Sequence, residues 1–147
     1  MTTLLALDIG GTKVGWGIVE AGDTYEVTER GSIPTDAMRG GADVAARICE
    51  LASSLVASHP SVSGVAVASA GVVNPATGDV VSATGTMPGW GGTRLGSLLE
   101  AATGLRVRVL NDVHAHGLGE ATLGAGQPYR TVLSIAVGTG IGGALVE

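Results

Sequence analysis

The chain has 147 residues, 45% of them hydrophobic but only 3% aromatic, so one domain with an aliphatic core of helices packed on a sheet is expected. A net charge of −5 without any Lys/Arg cluster argues against nucleic acid or an anionic membrane as a partner. The single Cys49 excludes an intrachain disulfide and a cysteine-based metal site within the chain, and the start of the sequence has no signal-peptide or membrane-span pattern, which predicts a cytoplasmic protein.

Three strands are predicted at the beginning of the chain. The short apolar run 4–9 is typical of a strand that is buried on both faces. Residues 14–20 follow after a Gly-Gly turn, and the more polar residues 26–33 are expected nearer an edge of the sheet. The segment 34–41 is predicted to be a loop.

The middle of the chain changes to a helical period. Apolar residues at helical spacing predict an amphipathic helix over 42–58, in which Cys49 is interpreted as a small buried side chain. A buried strand at 62–68 comes next, followed by a turn over 74–79. A second helix is expected to begin after Thr93 as N-cap and to end before Gly104.

The last third is predicted as strand, helix and hairpin. Residues 107–110 read as a buried strand that runs into Asn111-Asp112, and a helix continues to about Leu123. Strands at 131–137 and from 141 enclose a Gly/Thr turn. This order of elements favours an α/β fold with a mixed sheet and helices on its faces. Because a lone hairpin is marginal, the chain is expected to be a fragment of a longer protein.

The first loop, Gly10 to Lys13, joins two strands and follows an acidic residue. Two glycines allow a tight turn whose backbone N–H groups approach an anion, and Thr12 and Lys13 add a hydroxyl and a charge. Asp8 at a strand end is costly to bury without a partner, so it is expected to face a cleft or a hydrated metal ion. The alternatives are an ordinary hairpin turn and a phosphate-binding turn.

Two further segments have the same kind of chemistry. Residues 138–143 form a second strand–turn–strand pattern. By itself it is weak evidence for a phosphate-binding loop, and it becomes stronger evidence together with the first loop. The pair Asn111-Asp112 lies between them. It is either a helix cap or the site of a general base that accepts the proton of an attacking hydroxyl during phosphoryl transfer.

With these pieces in order, the sequence resembles the N-terminal part of the ROK family of repressors, open reading frames and sugar kinases. The resemblance covers nearly the whole chain and rests on five segments taken together. They are the Asp-Ile-Gly-Gly-Thr-Lys loop, residues 71–78, Pro88-Gly89-Trp90, Asn111-Asp112 with Gly119-Glu120, and residues 138–143. It implies an actin-like ATPase fold of the ribonuclease H-like type, with an N-terminal lobe over 1–125 and the first hairpin of a second lobe over 126–147.

The resemblance also implies an activity, ATP-dependent phosphorylation of a hexose or N-acylhexosamine, with Asp112 as the catalytic base and Mg²⁺ near Asp8, held through water. It implies a homodimer at full length, and it places any structural Zn²⁺ beyond residue 147. The residues implied to bind phosphate are Gly10, Gly11, Thr12, Lys13, Gly138, Thr139 and Gly140. Those implied to bind sugar are Gly71, Thr84, Asn111 and Asp112.

Several features limit that interpretation. The family's later sugar, zinc and adenosine motifs are not present before Glu147, so the 147 residues alone are expected to be inactive as a kinase. His114 and His116 diverge by about 200° on a helix and do not form a zinc pair. Two alternatives remain open. One is a sugar-responsive repressor, although only seven residues precede Asp8, and the other is a different actin-like ATPase.

Overall fold

A computed structural model describes residues 1–138 and 140–147 and contains two compact units, Met1–Leu110 and Asn111–Glu147. The strands are β1 Thr2–Ile9, β2 Lys13–Ala21, β3 Tyr25–Pro34, β4 Val62–Ser69, β5 Val72–Asn74, β6 Asp79–Ser82, β7 Arg106–Asn111, β8 Val132–Val137 and β9 Ile141–Val146. The helices are α1 Gly41–Ser58, α2 Leu95–Thr103 and α3 Asp112–Leu123, with a short 3₁₀ helix at Ala37–Arg39.

The first unit is built on a five-stranded sheet in the order β3-β2-β1-β4-β7. β1 pairs antiparallel with β2 and parallel with β4, so the sheet is mixed, as the order of elements predicts. β3 lies at an edge, which confirms the prediction made from its polar composition. A separate two-stranded ribbon, β5 with β6, belongs to the same unit.

The core of the first unit lies between one face of this sheet and the helices α1 and α2. Alternate residues of β1 point into it, and they meet the buried stripe of α1. The most buried members include Leu5, Ile9, Ile48, Leu95 and Leu99. The aliphatic composition therefore produces the helix-on-sheet layers expected of it.

Two details of the helices differ from the sequence prediction. Thr93 is not the N-cap of α2: Arg94 holds that position without a side-chain cap, because the backbone of Thr93 is engaged with Trp90 and Val80. The thiol of Cys49 is only half-buried, and burial raises its pKa above the ordinary value. The end of α2 at Gly104, in the left-handed conformation with φ 70°, confirms the predicted stop.

The edge strand β3 is fitted to its neighbour by a glycine. Trp16 of β2 stands opposite Gly31 of β3 in the antiparallel register. A Cβ atom on Gly31 would lie 2.6 Å from the Trp16 ring, so the indole occupies the space that a side chain would need. The Trp16 ring therefore packs into the space left free because Gly31 has no side chain.

The second unit is small. β8 and β9 pair antiparallel, and α3 packs against both strands. A Cβ atom on Gly117 would lie 2.9 Å from Ala144 Cβ, so α3 approaches the hairpin closely. The strands and helix lie within two residues of their predicted bounds. The predicted lobe boundary at residue 125 stays a prediction.

Candidate phosphate-transfer site

The first loop joins β1 to β2 as a tight turn. Ile9 pairs with Val14, and the Gly10 amide donates to the Lys13 carbonyl oxygen at 3.0 Å. Gly11, Thr12 and Lys13 are exposed. The residues predicted to bind phosphate thus lie on an open turn at the end of a buried strand.

Asp8 occupies a position with little side-chain bulk around it. It pairs with Gly15 across β1–β2 and with Ala68 across β1–β4. The carboxylate is exposed and has no hydrogen-bond or ion-pair partner among the described residues. An open carboxylate with free oxygens is suited to the outer shell of a hydrated Mg²⁺ ion, which keeps several of its waters.

The loop is held from behind by the residue that follows β3. Thr35 is completely buried, its Oγ1 donates to the Gly10 carbonyl oxygen at 2.6 Å, and its amide donates to the Thr12 carbonyl oxygen at 3.0 Å. Thr35 is not among the predicted site residues, because it falls within the loop predicted over 34–41. The only local signal is a Thr directly after a Pro.

The predicted sugar-binding residues of the first unit lie on segments that reach the first loop. The Ala70 amide donates to the Ile9 carbonyl oxygen at 2.9 Å, and Gly71 follows with φ 94°. A Cβ atom on Gly71 would lie 2.6 Å from the Ser82 carbonyl oxygen, so only glycine fits there. Thr84 is exposed, and its hydroxyl lies 2.7 Å from that of Thr86.

The segment around Thr86 completes this arrangement. A Cβ atom on Gly11 would lie 3.9 Å from the Thr86 carbonyl oxygen and 3.8 Å from Met87 Cγ. The structure therefore brings the first loop and the segments of Gly71 and Thr84 into one region of the first unit. Trp90 is fully buried, and its indole N–H donates to Ser69 Oγ and to the Ala70 carbonyl oxygen, both at 3.2 Å. Trp90 is not among the residues predicted to bind phosphate or sugar, and it is a packed core residue here.

Asn111 and Asp112 mark the start of α3 in the second unit. Asn111 Oδ1 accepts from the amides of Val113 at 3.0 Å and His114 at 3.2 Å, which is the N-cap alternative. Asp112 is half-buried, and its Oδ1 accepts from the Val113 amide at 2.9 Å. Its second oxygen, Oδ2, has no protein partner among the described residues, so it remains open to a proton donor.

The second glycine loop lies between β8 and β9. The Gly138 amide donates to the Gly140 carbonyl oxygen at 2.8 Å, and both glycines are exposed. A Cβ atom on either would meet no atom within 4 Å. The predicted phosphate contact of Thr139 lies outside the described residues.

The described part of the chain contains neither a metal-binding cluster nor a helix that could cross a membrane. No group of three or more His, Cys, Asp or Glu side chains among them is arranged to hold a metal ion, and His114 and His116 are exposed. His59 instead caps α1 at its C-terminal end and forms an ion pair with Glu29 of β3 at 2.9 Å. None of the described helices combines the length and the apolar character that a membrane crossing requires.

Comparison with known proteins identifies the family of the chain and similar folds. The family model described as the ROK family matches residues 4–147. The chain is 34% identical over 142 residues to the β-glucoside kinase of Listeria monocytogenes, a match that covers 97% of this chain and 46% of that protein. It also resembles the solved structure of a ROK family glucokinase from Streptomyces griseus in complex with glucose and AMPPNP, with a TM-score of 0.83, 29% identity and coverage of 98% of this chain and 44% of that one.

A further solved structure is similar in fold. It is a ROK family transcriptional regulator, a homologue of the E. coli MLC protein, with a TM-score of 0.86, 25% identity and coverage of 98% of this chain and 36% of that one. The mixed sheet and its strand–turn–strand loop define the actin-like ATPase class. Within that class, the chain belongs to the ROK family. It spans about half the length of the curated relatives it matches.

Proposed function

We propose that the protein containing this chain transfers the γ-phosphoryl group of ATP to a hydroxyl of a hexose or N-acylhexosamine, as a glucokinase or N-acetylmannosamine kinase does. The observation that carries the proposal is the conformation of the first loop. The buried Thr35 binds its Gly10 carbonyl oxygen, while Gly11, Thr12 and Lys13 remain exposed to solvent. Such a turn provides fixed N–H dipoles for phosphate oxygens without a helix N-terminus. Sugar kinases among the relatives support the same activity.

Each predicted site residue then has a chemical role. Gly10, Gly11, Thr12 and Lys13 bind the phosphates of ATP. Asp8 would hold a hydrated Mg²⁺ ion, which would supply positive charge to neutralise the phosphate oxygens. Gly138, Thr139 and Gly140 form a second phosphate contact. Gly71, Thr84 and Asn111 bind the hydroxyl groups of the sugar.

Asp112 is the proposed general base. As the sugar oxygen forms its bond to the γ-phosphorus, the bond from that phosphorus to the β–γ bridging oxygen breaks and ADP leaves. Asp112 Oδ2, which has no protein partner among the described residues, accepts the hydroxyl proton. The Val113 amide holds the other carboxylate oxygen and so fixes the direction of the side chain.

The test of this role is substitution of Asp112 in the full-length gene product. We expect Asp112→Ala and the shape-preserving Asp112→Asn to lower kcat by about 10²- to 10⁴-fold, because general-base catalysis is lost. Sugar binding, measured by calorimetry, should survive with a loss of no more than about tenfold, because only one hydrogen bond to the sugar is removed. Asp23→Asn, at an exposed turn, is the control. Near-normal turnover in either Asp112 variant would remove the assignment.

The similarity to a ROK family regulator favours a second candidate, a sugar-responsive repressor. The two functions separate in one experiment with the full-length gene product. A kinase consumes ATP only when the sugar is present, whereas a repressor binds DNA and releases it when the sugar is added. ATP turnover that no sugar stimulates would favour the third alternative, another ATPase of the actin-like class.

The identity of the sugar requires a screen. A coupled assay of ATP consumption over glucose, mannose, fructose, allose, N-acetylglucosamine and N-acetylmannosamine covers the proposed range. Since a relative is a β-glucoside kinase, cellobiose and a simple β-glucoside belong in the same screen.

A further inference from the structure

Thr35 is one of the few fully buried polar side chains of the first unit, and both of its donors serve the first loop. The hydroxyl binds the carbonyl oxygen of Gly10, and the amide binds that of Thr12. Thr35 lies 25 residues beyond Gly10, at the end of edge strand β3. These two bonds therefore fasten the loop to a different strand of the sheet from the two that it joins.

The bond to Gly10 also orients the next amide. A trans peptide places its C=O and N–H on opposite sides. Because the Gly10 carbonyl points to the buried Thr35, the Gly11 N–H points the other way, and Gly11 is exposed. An outward N–H on a glycine, without a side chain beside it, is suited to an anion.

Thr35 is itself held by a charged side chain of α1. Arg47 donates to the carbonyl oxygens of Thr35 and, at 3.1 Å, of Pro34. Its Nε also donates to Asp43 Oδ2 at 2.9 Å, and Asp43 accepts from Arg39 as well. The Arg47 side chain is 23% exposed, so it is largely removed from solvent. The planar guanidinium thus links the helix, the end of β3 and, through Thr35, the first loop.

We propose that Thr35 and Arg47 are positioning residues that hold the first loop in the shape in which the Gly11 amide meets the phosphates of the nucleotide. The inference rests on the proposed function, because ATP is the ligand that it assumes. Neither side chain touches ATP. Both act through the Gly10–Lys13 turn, and Thr35 acts directly while Arg47 acts through Thr35.

The kinetic test uses Thr35→Val in the full-length gene product, which removes the hydroxyl donor and keeps the branched shape. We expect the KM for ATP to rise about five- to tenfold, the effect of one lost hydrogen bond on phosphate affinity, with the KM for sugar within twofold. Thr35→Ser restores the hydroxyl and should recover most of the ATP affinity. A merely structural role would lower the active fraction and leave both KM values unchanged, and that result would overturn the proposal.

The matched control is Thr28→Val. Thr28 lies on the same strand β3, and its hydroxyl also donates to a backbone carbonyl oxygen, that of Ile18, at 3.3 Å. This bond is remote from the loop, so both KM values should stay within twofold of the wild type. An equal rise in the KM for ATP in Thr28→Val would show that any lost hydroxyl on β3 has the same effect, and it would contradict the proposal.

A second measurement does not depend on catalysis. In the 147-residue chain, inorganic tripolyphosphate is expected to shift the NMR signal of the Gly11 amide. Thr35→Val should weaken this binding at least fivefold and lower the backbone order parameters of residues 10–13. Arg47→Met should act in the same direction with a smaller effect, so it keeps the test valid if Thr35→Val folds poorly. Unchanged binding and order in both variants would overturn the inference.

The outcomes separate the inference from the proposed function. If the full-length gene product phosphorylates no sugar but tripolyphosphate still binds at Gly11 in a Thr35-dependent manner, the kinase proposal fails and the positioning role stands. If the sugar is phosphorylated with the same KM for ATP in Thr35→Val as in the wild type, the positioning role fails alone. If tripolyphosphate does not shift Gly11 in the wild-type chain, the positioning role is wrong.

Discussion

The two glycine loops have similar sequences but very different surroundings. The first loop lies between two strands of a five-stranded sheet whose inner face is covered by α1 and α2, and Thr35 fastens it to a third strand. The second loop lies between the strands of a hairpin supported by one helix. Among the described residues of the second unit, Ala144 is the only buried hydrophobic side chain, whereas several large ones on β8 and β9 are exposed. Two loops with similar sequences are therefore not held equally firmly by the structure around them, because a two-stranded hairpin is only marginally stable by itself.

The largest expected difference between the two units concerns their cores. Ile48 of α1 is 1% exposed, so Ile48→Ala should lower the free energy of unfolding by about 2–5 kcal/mol. Leu133 of β8 is 65% exposed, and Leu133→Ala should change it by no more than about 0.5 kcal/mol. Urea denaturation followed by far-UV circular dichroism measures both losses, because helices and strands of both units contribute to that signal. Equal losses in the two variants would refute the comparison.

A smaller loss of stability is expected at two glycines where neighbouring atoms leave no room for a side chain. A Cβ atom on Gly41, at the start of α1, would overlap the Gly89 carbonyl group and lie 2.7 Å from the Trp90 amide nitrogen. Gly41→Ala should therefore destabilise the first unit by about 1–3 kcal/mol, because backbone cannot move aside cheaply. In Gly117→Ala, the added Cβ atom would crowd the side chains of Ala144 and Ser134. The better helix propensity of Ala offsets part of the resulting loss of stability.

Thermal unfolding followed by circular dichroism measures these two substitutions. Gly85→Ala is the control, since a Cβ atom there would meet nothing within 4 Å. We expect the order of destabilisation to be Gly41→Ala, then Gly117→Ala, then Gly85→Ala near zero. A greater loss at Gly117 than at Gly41 would mean that the second unit is packed more tightly than the first.

The smallest effect is expected at the edge of the first unit, where His59 pairs with Glu29. The hydrogen bonds that the His59 ring donates to Glu29 Oε2 and to the Leu55 carbonyl oxygen raise the pKa of His59 above its ordinary value of 6.5. The folded state therefore binds the proton more tightly, and the pair contributes its full stability below about pH 6.5. This contribution is lost as the pH rises through the raised pKa. Both groups contact solvent, so the effect is small.

Urea denaturation of wild type and Glu29→Gln at pH 5.5 and pH 9 checks the sign of this dependence. The difference in unfolding free energy between them should be larger at pH 5.5. Glu26→Gln, an exposed residue on the same strand β3, should show no such pH dependence. A larger difference at pH 9 would contradict the assignment of the ion pair.

Local patterns in the sequence predicted most elements of this fold. Helix α3, Asp112–Leu123, and the edge position of β3 follow from capping chemistry and polarity over a few residues. Contacts between distant residues were not predictable in this way. Thr93 cannot cap α2 because its backbone is bonded to Val80 and Trp90, and Cys49 is half-buried because of what packs around it.

The candidate site also combines residues that local sequence patterns predict with residues that only distant contacts reveal. Asp8, the first glycine loop and Asp112 stand out in the sequence, because acidic residues at strand ends and paired glycines are chemically unusual there. Thr35 and Arg47 do not stand out, since their importance depends on bonds across 25 and 12 residues. The residues proposed to meet ATP are thus visible as a motif, whereas those that shape the loop become visible only in three dimensions.

The contact between Trp16 and Gly31 has a consequence for how the sequence can diverge. The indole ring fills the place of the side chain that Gly31 lacks. A mutation that adds a side chain at position 31 requires the ring at position 16 to shift or to be replaced by a smaller residue. The residues at positions 16 and 31 are therefore expected to vary together, with a large ring at position 16 accompanied by glycine at position 31.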